Sequence, residues 1–257
     1  MTAADITTGL AHTLDPVRFV RECLNFHPDE PQTRFLQAAG HRVILNCTRQ
    51  WGKSTLCAAA AVHRAFASPG ALIVVASPTE RQSGEFIRKA AEFVRNLEIK
   101  PRGDGYNEVS ILLPNGSRIV GLPGSHRTIR GFSALSLLIL DEAALVPDEL
   151  YLALRPMLAV SRGDLWMLST PYGKRGFFYR VWTDGGPHWN RIRVPATECP
   201  RISHEFLAEE RAESSPEYFN QEYMCQFHAT QDALFDEDTV RRRLDPGIAP
   251  LFPNGAP

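Results

Sequence analysis

The sequence predicts an α/β fold in which a mostly parallel central sheet is flanked by helices. Short apolar runs of four to six residues alternate with longer helix-compatible segments, the pattern of strand–helix–strand units. Apolar residues make up 44% and charged residues 22% of the 257 residues. This length and composition predict one substantial globular domain with a single dominant core.

The strands can be placed from the apolar runs. Asn115-Gly116 stands between two of these runs, a strong signal for an antiparallel hairpin inserted into the parallel pattern. After residue 171 the chain becomes more polar and helix-compatible, and residues 245–257 are rich in Pro and Gly and are expected to fray. The predicted strands are residues 43–47, 72–76, 136–140 and 165–169, the hairpin strands 109–113 and 118–122, and a later strand at 191–195.

Charge and composition exclude several classes of protein. The net charge is −1, so any contact with nucleic acid must come from a local basic patch. No apolar run approaches the length of a membrane span, and residues 1–15 lack the layout of a signal peptide, which predicts a cytosolic protein. The five cysteines are scattered without metal-ligand spacing and are expected to be buried free thiols.

The strongest motif follows the first predicted strand. A tight loop ends in Gly52-Lys53-Ser54 and leads into an alanine-rich helical stretch that reaches Phe66. In a phosphate loop, backbone amides and the helix N-terminus surround the phosphates, lysine adds a positive charge, and the serine hydroxyl ligates Mg²⁺. The predicted nucleotide-binding residues here are Thr48, Arg49, Gln50, Trp51, Gly52, Lys53, Ser54 and Thr55.

One residue departs from the usual phosphate-loop pattern, because Cys47 occupies the position of its first glycine. An ordinary strand-to-helix turn, with Gly52 in an unusual dihedral and Lys53 in solvent, is therefore the structural alternative.

An apolar strand at residues 137–140 ends in two adjacent carboxylates, Asp141 and Glu142. An aspartate at this position can hold the Mg²⁺ of a nucleotide, and the following glutamate can polarise the attacking water. The alternative is that the two acids only cap a helix that begins at Ala143. The order of phosphate loop and acidic strand favours the functional interpretation.

The next apolar run, residues 165–169, also ends in polar residues, Ser169 and Thr170. In P-loop ATPases of the additional-strand (ASCE) class, the strand beside the acidic strand carries a polar sensor of the γ-phosphate. Ser169 and Thr170 fit that coupling role. Hydroxyls that merely close a strand before a turn are the alternative.

The combination of these motifs resembles the ATPase domain of large terminases. The similarity rests on Arg49-Gln50-x-Gly52-Lys53-Ser54, on Leu-Ile-Leu-Asp-Glu-Ala-Ala at 138–144 and on Ser-Thr-Pro-x-Gly at 169–173. That family often lacks the first loop glycine, so Cys47 agrees with the resemblance. Weaker matches extend it across nearly the whole chain, including a lid-like helix at residues 219–223.

The resemblance implies an ASCE P-loop NTPase core at residues 1–172, a small lid subdomain at 173–240 and a linker or tail at 241–257. It places an adenine-binding segment at about residues 15–40, in which Gln32 would read the base edge. A surface helix residue is the alternative for Gln32. Large terminases normally continue into a nuclease domain. Asp232, Asp236, Asp238 and Asp245 lack a preceding strand that would fix a two-metal site, so no nuclease activity is expected.

Two arginines are candidates for stabilising transition-state charge. Arg130 matches the position of a proposed arginine finger in the family, which the resemblance assigns to a neighbouring subunit's ATP. Arg49, within the loop, could reach the phosphates of its own subunit. Solvated surface positions are the alternative for both. The predicted catalytic set is therefore Glu142, Lys53, Arg130 and Arg49.

By resemblance, the expected function is ATP hydrolysis with Mg²⁺ that drives double-stranded viral DNA into a procapsid in the host cytoplasm. The implied partners are DNA, a portal protein, a small terminase and further copies in a pentameric ring, with a monomer expected in isolation. Candidate DNA contacts are Lys100, Arg102, Lys174 and Arg175, for which solvated surface charge is the alternative. A two-lobed helicase and a non-hydrolysing nucleotide switch are the competing hypotheses.

Overall fold

The computed structural model describes residues 3–38, 40–122 and 132–228. The helices are α1 (Ala3–Leu14), α2 (Pro16–Glu22), α3 (Glu30–Ala38), α4 (Lys53–Ala67), α5 (Glu80–Asn96), α6 (Asp148–Leu154), α7 (Gly176–Asp184), α8 (His204–Glu213) and α9 (Pro216–Glu222). The strands are β1 (Arg42–Cys47), β2 (Leu72–Ala76), β3 (Ser110–Leu112), β4 (Arg118–Leu122), β5 (Leu137–Asp141), β6 (Asp164–Ser169) and β7 (Asn190–Val194).

Across the described residues the strands form one seven-stranded sheet in the order β3-β4-β2-β5-β6-β1-β7. Every neighbouring pair is parallel except β3 and β4, which form the predicted antiparallel hairpin. The prediction of a mostly parallel α/β sheet is confirmed, and each predicted strand lies within two residues of its observed bounds. β3 is shorter than predicted because only three of its residues pair with β4.

Both faces of the sheet are covered, as the uninterrupted apolar strands require. Successive residues of β1 point to opposite faces: Val43 and Leu45 join a cluster formed with α4 and α5, whereas Ile44 joins the cluster on the other face. Phe177 and Phe178 of α7 belong to this second cluster. The functional motifs consequently stand at the edge of a sheet that packing fixes from two sides.

The parallel strands deliver the polar motifs to one edge. β1 leads into the phosphate loop, β5 ends at Asp141, and β6 ends at Ser169. β6 lies between β1 and β5, so an additional strand separates the two strands that carry the phosphate loop and the acidic pair. Carboxyl ends of parallel strands meet at a single edge, so the loop and the acids face each other there.

In the C-terminal part of the described chain, one element joins the sheet and two helices pack separately from it. β7 pairs with β1 as a full member of it, while Leu207 of α8 and Phe219 of α9 form a small third cluster with Ala196, which follows β7. The predicted lid, residues 173–240, thus spans both β7 and the helices of the third cluster. Its boundary remains a prediction, and the predicted tail lies outside the described residues. In the part of the chain that the structure describes, no helix is both long and apolar enough to cross a membrane.

Candidate active site

The loop between β1 and α4 turns sharply at its end. Gly52, the N-cap of α4, has φ +90°, a left-handed conformation that glycine adopts without the cost a side chain would add. The buried Cys47 and Trp51 anchor the loop in the core. Cys47 therefore packs in the core where the usual pattern has glycine, and the loop still leads directly into the N-terminus of α4.

Four predicted side chains converge at this edge. Lys53 Nζ lies 2.9 Å from Glu142 Oε1, and Ser54 Oγ donates a hydrogen bond to Asp141 Oδ1 at 3.2 Å. Lys53 and Asp141 are buried, at 8% and 4% exposed. Lys53 is thus not in solvent, which excludes the simple-turn alternative.

The two carboxylates of the acidic pair have different partners. Glu142 has φ +53°, in the left-handed region that a residue other than glycine enters at some cost. Its Oε1 lies at Lys53 Nζ, whereas Asp141 Oδ1 accepts a hydrogen bond from Ser54. A short 3-10 helix, Ala143–Leu145, follows without a side-chain cap hydrogen bond from Glu142. The helix-capping alternative for this residue is therefore wrong.

Burial and neighbouring charges shift the pKa values of Asp141 and Lys53. Burial, reinforced by the charge of Glu142, raises the pKa of Asp141 to about 6. Burial alone would lower the pKa of Lys53, but the neighbouring carboxylate of Glu142 helps to outweigh it and the pKa is raised. A divalent cation would stabilise the charged form of the buried Asp141, and the oxygens of Ser54 and Asp141 are the hard ligands that Mg²⁺ prefers.

A cavity of about 480 Å³ opens beside the cluster. Its lining includes most of the residues that the sequence predicts for the site: Arg49, Gln50, Gly52, Lys53, Ser54, Thr55, Glu142, Ser169 and Thr170. Among the described residues, the hydroxyls of Ser169 and Thr170 are buried without a hydrogen-bond partner. Buried polar groups are normally paired, so these hydroxyls suit a ligand or water within the cavity.

Three predicted nucleotide-binding side chains lie outside the cavity lining. Thr48 is buried and donates from Oγ1 to the backbone oxygen of Glu222, and Trp51 is buried in the core. Gln32 is 2% exposed, with Nε2 donating to the Trp51 oxygen at 3.1 Å and Oε1 accepting from the Asp29 amide. The alternative that Gln32 is a surface residue is therefore wrong. Its reading of a base edge remains a prediction.

Other cavity residues were missed by sequence reasoning. Gln82 and Lys89, one face of α5 at helical spacing, line the wall of the cavity, and Glu222 of α9 lines it from the C-terminal side. Glu222 is 5% exposed, and its Oε2 lies 2.5 Å from Arg49 Nε. No local pattern marks Gln82 or Lys89, and Glu222 stood out only as part of the lid-like helix at 219–223, because each residue reaches the site only through the tertiary fold.

The predicted DNA contacts fall at opposite edges of the sheet. Arg102 pairs with Leu112 of β3, level with the first residue of β4, so it lies at the amino edge of the parallel strands. Lys174 and Arg175 follow β6 at the carboxyl edge, where the Arg175 guanidinium lies 4.7 Å from the ring centre of Tyr172. Lys100 is exposed. Arg130 and the four C-terminal aspartates lie outside the described residues.

The sheet order, the phosphate loop after β1 and the acidic pair after β5 define a P-loop fold of the ASCE class. Residues 44–242 match the family model for the terminase large subunit, T4likevirus-type, N-terminal. Because this match covers well over half of the chain, the chain belongs to that family.

Sequence comparison finds a curated relative, the terminase large subunit of Escherichia phage T5, 24% identical over 219 residues. The alignment covers 81% of this chain and 50% of the relative, so the chain spans about half the length of the protein it matches.

Two solved structures have the same fold. The large terminase ATPase domain of Thermus phage P74-26 is 22% identical, with a TM-score of 0.73 over 83% of this chain and 99% of that one. The HK97 bacteriophage large terminase is 18% identical, with a TM-score of 0.68 over 84% of this chain and 55% of that one. The chain therefore has the fold of large terminase ATPase domains.

Proposed function

We propose that this chain hydrolyses ATP as the motor domain of a phage large terminase and couples hydrolysis to the movement of double-stranded DNA. The observation that carries the proposal is the convergence of Lys53, Asp141 and Glu142 beside one cavity, which Lys53 and Glu142 line. Family membership supports it, as does a similar protein, the large terminase of a thermophilic bacteriophage, solved in complex with ADP and with ATP-gamma-S.

The phosphate loop would bind the triphosphate first. Its amides and the N-terminus of α4 provide donors, and Lys53 provides a charge that is already held at the site. In this structure the ammonium contacts Glu142 at 2.9 Å. A triphosphate carries more negative charge than one carboxylate and would compete for Lys53, which leaves Glu142 able to accept a hydrogen bond from water.

Glu142 would then act as the general base. It is about a quarter exposed and lines the cavity, so water can reach it there. Ser54 and Asp141 would hold Mg²⁺, which when bound neutralises charge on the phosphates. The unpaired hydroxyls of Ser169 and Thr170 would contact the terminal phosphate or its water and report its loss to the loop after β6.

The transition state also requires cations, and two arginines are proposed for it. Arg49 lines the cavity and lies within its own phosphate loop. Arg130 is proposed to act on the nucleotide of a neighbouring copy, which places the chain in a homo-oligomeric ring. We extend the proposal to a portal protein and a small terminase as partners, to action at the procapsid in the host cytoplasm, and to Lys100, Arg102, Lys174 and Arg175 as DNA contacts.

Phosphate release by wild type and by the Glu142→Gln variant tests the proposal. Hydrolysis by wild type, with ATP binding but no turnover in the variant, is the expected result. A protein that binds ATP as a switch would show the same absence of turnover in both, and that outcome would refute the enzymatic function.

The ring requires a separate experiment. Subunits carrying Arg130→Ala are mixed with subunits carrying Glu142→Gln, each inactive alone in the assembled form. If Arg130 acts on the nucleotide of a neighbouring subunit, mixtures regain activity. At some interfaces an intact Arg130 from one subunit then meets an intact Glu142 in its neighbour. No recovery at any ratio would remove the support for action on a neighbour.

A further inference from the structure

A second cavity, of about 460 Å³, lies at the other edge of the sheet and is lined by His41, Arg42, Arg155, Leu158, Ala159 and Arg162. Arg42 is the first residue of β1, and Arg162 stands two residues before β6 begins. Both strands run from this edge toward the cavity of the candidate active site. Each strand has six residues and is therefore about 20 Å long. The arginine-lined cavity is therefore separate from the candidate active site.

Two of the three arginines are held in place. Arg42 Nη1 donates to the backbone oxygens of His41 and Gly163, each at 2.9 Å. The guanidinium of the exposed Arg155 lies 5.5 Å from the ring centre of Tyr151, within range of a cation–π contact that restricts its motion. An ordered guanidinium loses less entropy when it binds than a freely rotating one.

The third, Arg162, projects from a tight turn. Its φ is +52°, an uncommon conformation for a residue with a side chain. The turn has little freedom to relax: Ser161 Oγ donates to the Leu135 oxygen at 2.5 Å, and a Cβ added at Gly163 would lie 1.9 Å from that same oxygen. Backbone strain of this kind is often found where a side chain is held for a function.

The positive charge of this cavity is not neutralised within the described chain. Among the described residues, no aspartate or glutamate lines the cavity, and none of its three arginines has a carboxylate within ion-pair distance. Asp164 is buried and already paired, with His41 Nδ1 at 2.7 Å and Arg64 Nη2 at 2.5 Å. On a chain of net charge −1, this is a local cationic site.

We propose that the arginine-lined cavity binds backbone phosphates of duplex DNA. Guanidinium groups match phosphate oxygens in geometry and charge. Apart from His41, which pairs with Asp164, the described lining offers neither an aromatic face for a base nor a side-chain amide to read a base edge. Every nucleotide presents the same phosphate, so a contact between these arginines and backbone phosphates carries no sequence information. The inference rests on the proposed function, since it names a DNA-contacting surface for that motor. None of the four contacts predicted from sequence lines this cavity.

The test compares Arg155→Gln/Arg162→Gln with wild type by fluorescence anisotropy on a labelled duplex of random sequence, over a range of KCl concentrations. The matched control is Arg21→Gln/Arg95→Gln, which removes the same charge from two exposed arginines that make no ion pair with a described residue. Circular dichroism and phosphate release confirm that each variant folds and keeps its basal ATPase activity.

If the inference is correct, the cavity variant binds the duplex roughly tenfold or more weakly, and the slope of log Kd against log salt falls by about two. The control changes neither quantity beyond about twofold. Equal weakening in both variants would reduce the effect to overall charge and overturn the inference, as would a wild type that binds no duplex at any salt concentration.

Two further outcomes would assign a different function to the arginine-lined cavity and so overturn the inference. Leu152 and Val160 are 62% and 81% exposed and lie within three residues of Arg155 and Arg162 along the chain. If sedimentation shows that the cavity variant loses self-association while duplex binding is unchanged, the surface joins copies of the chain. If inorganic phosphate binds wild type tightly and the variant weakly, again with unchanged duplex binding, the ligand is a small anion.

These experiments also separate the inference from the proposed function. A wild type without phosphate release refutes the ATPase and leaves the comparison of DNA affinities intact. A wild type that hydrolyses ATP, with equal DNA affinity in the cavity variant, refutes only the proposal for the cavity.

Discussion

Two ion pairs flank the cavity of the candidate active site. They differ in burial and in the elements of the fold that they join. The inner pair, Lys53–Glu142, joins two elements at the edge of the sheet, with side chains 10% and 26% exposed. The outer pair, Arg49–Glu222, joins the phosphate loop to α9, with side chains 66% and 6% exposed. In each pair a cation of the phosphate-loop motif contacts a carboxylate, which we propose that a bound triphosphate displaces.

The difference between the pairs indicates a division of roles. Solvent screens the outer pair more strongly, so its contribution to binding is expected to be small. The inner pair supplies both the proposed phosphate-binding cation and the proposed base. Substitutions in the inner pair should therefore affect chemistry and binding strongly, whereas those in the outer pair should adjust affinity.

The largest effect is expected for Glu142→Gln. The amide keeps the size of the side chain but cannot accept a proton from water, so kcat should fall by about 10²- to 10⁴-fold while ATP still binds. Single-turnover phosphate release and filter binding measure the two quantities. A loss of less than tenfold would remove Glu142 from the role of general base.

Lys53→Ala should act mainly on binding. Loss of a charge-assisted contact worth roughly 1.5–3 kcal/mol weakens ATP binding about tenfold to hundredfold. Isothermal titration with a slowly hydrolysed analogue measures the Kd. A melting temperature within a few degrees of wild type would establish that the fold is retained. Unchanged affinity would contradict the placement of phosphate at this lysine.

The inner cluster also predicts a dependence on pH. Burial, with the charge of Glu142, raises the pKa of Asp141 to about 6. Below that pH the carboxyl is protonated before Mg²⁺ binds, and the ionised ligand is present only as pH rises through this value. The Mg²⁺ concentration for half-maximal hydrolysis should increase about tenfold per pH unit below pH 6. A Mg²⁺ requirement that stays constant from pH 5 to 7 would contradict this assignment.

The smallest effect is expected at the outer pair. In Glu222→Gln the carboxylate charge that holds Arg49 is removed, so ATP binding should strengthen by up to about fivefold, an effect of about 1 kcal/mol or less. Glu217→Gln, at an exposed position of the same helix, is the matched control and should leave the Kd unchanged. Weaker binding in the Glu222 variant alone would mean that α9 supports the loop rather than restrains its arginine.

The sequence predicted that the residues of the inner pair belong to one site, although not that they pair with each other, because the motifs that carry them are local. Each motif lies at the end of an apolar strand, and the carboxyl ends of parallel strands meet, so β1 and β5 had to bring Lys53, Asp141 and Glu142 close together. Strand positions followed from the same apolar runs. The left-handed backbone of Glu142 was not foreseen, because residues other than glycine enter that region only where the surrounding fold holds them there.

The outer pair could not be predicted in this way. Glu222 lies in a polar helix far along the chain, and Lys89 is one of several charged residues on α5. Their positions depend on how the helices pack at the edge of the sheet. The periodicity of apolar residues and the composition of the sequence do not determine that packing. Gln32 shows the same limit: the sequence marked the residue, but its bonds to Trp51 and Asp29 depend on tertiary packing.

The most direct test is a crystal structure of the Glu142→Gln variant with ATP and Mg²⁺. We predict that Lys53 Nζ turns from residue 142 to the phosphates, that Ser54 and Asp141 lie at the metal, and that the side chain of residue 142 faces the terminal phosphate. A nucleotide bound elsewhere, or a terminal phosphate out of reach of Lys53 and residue 142, would contradict the account.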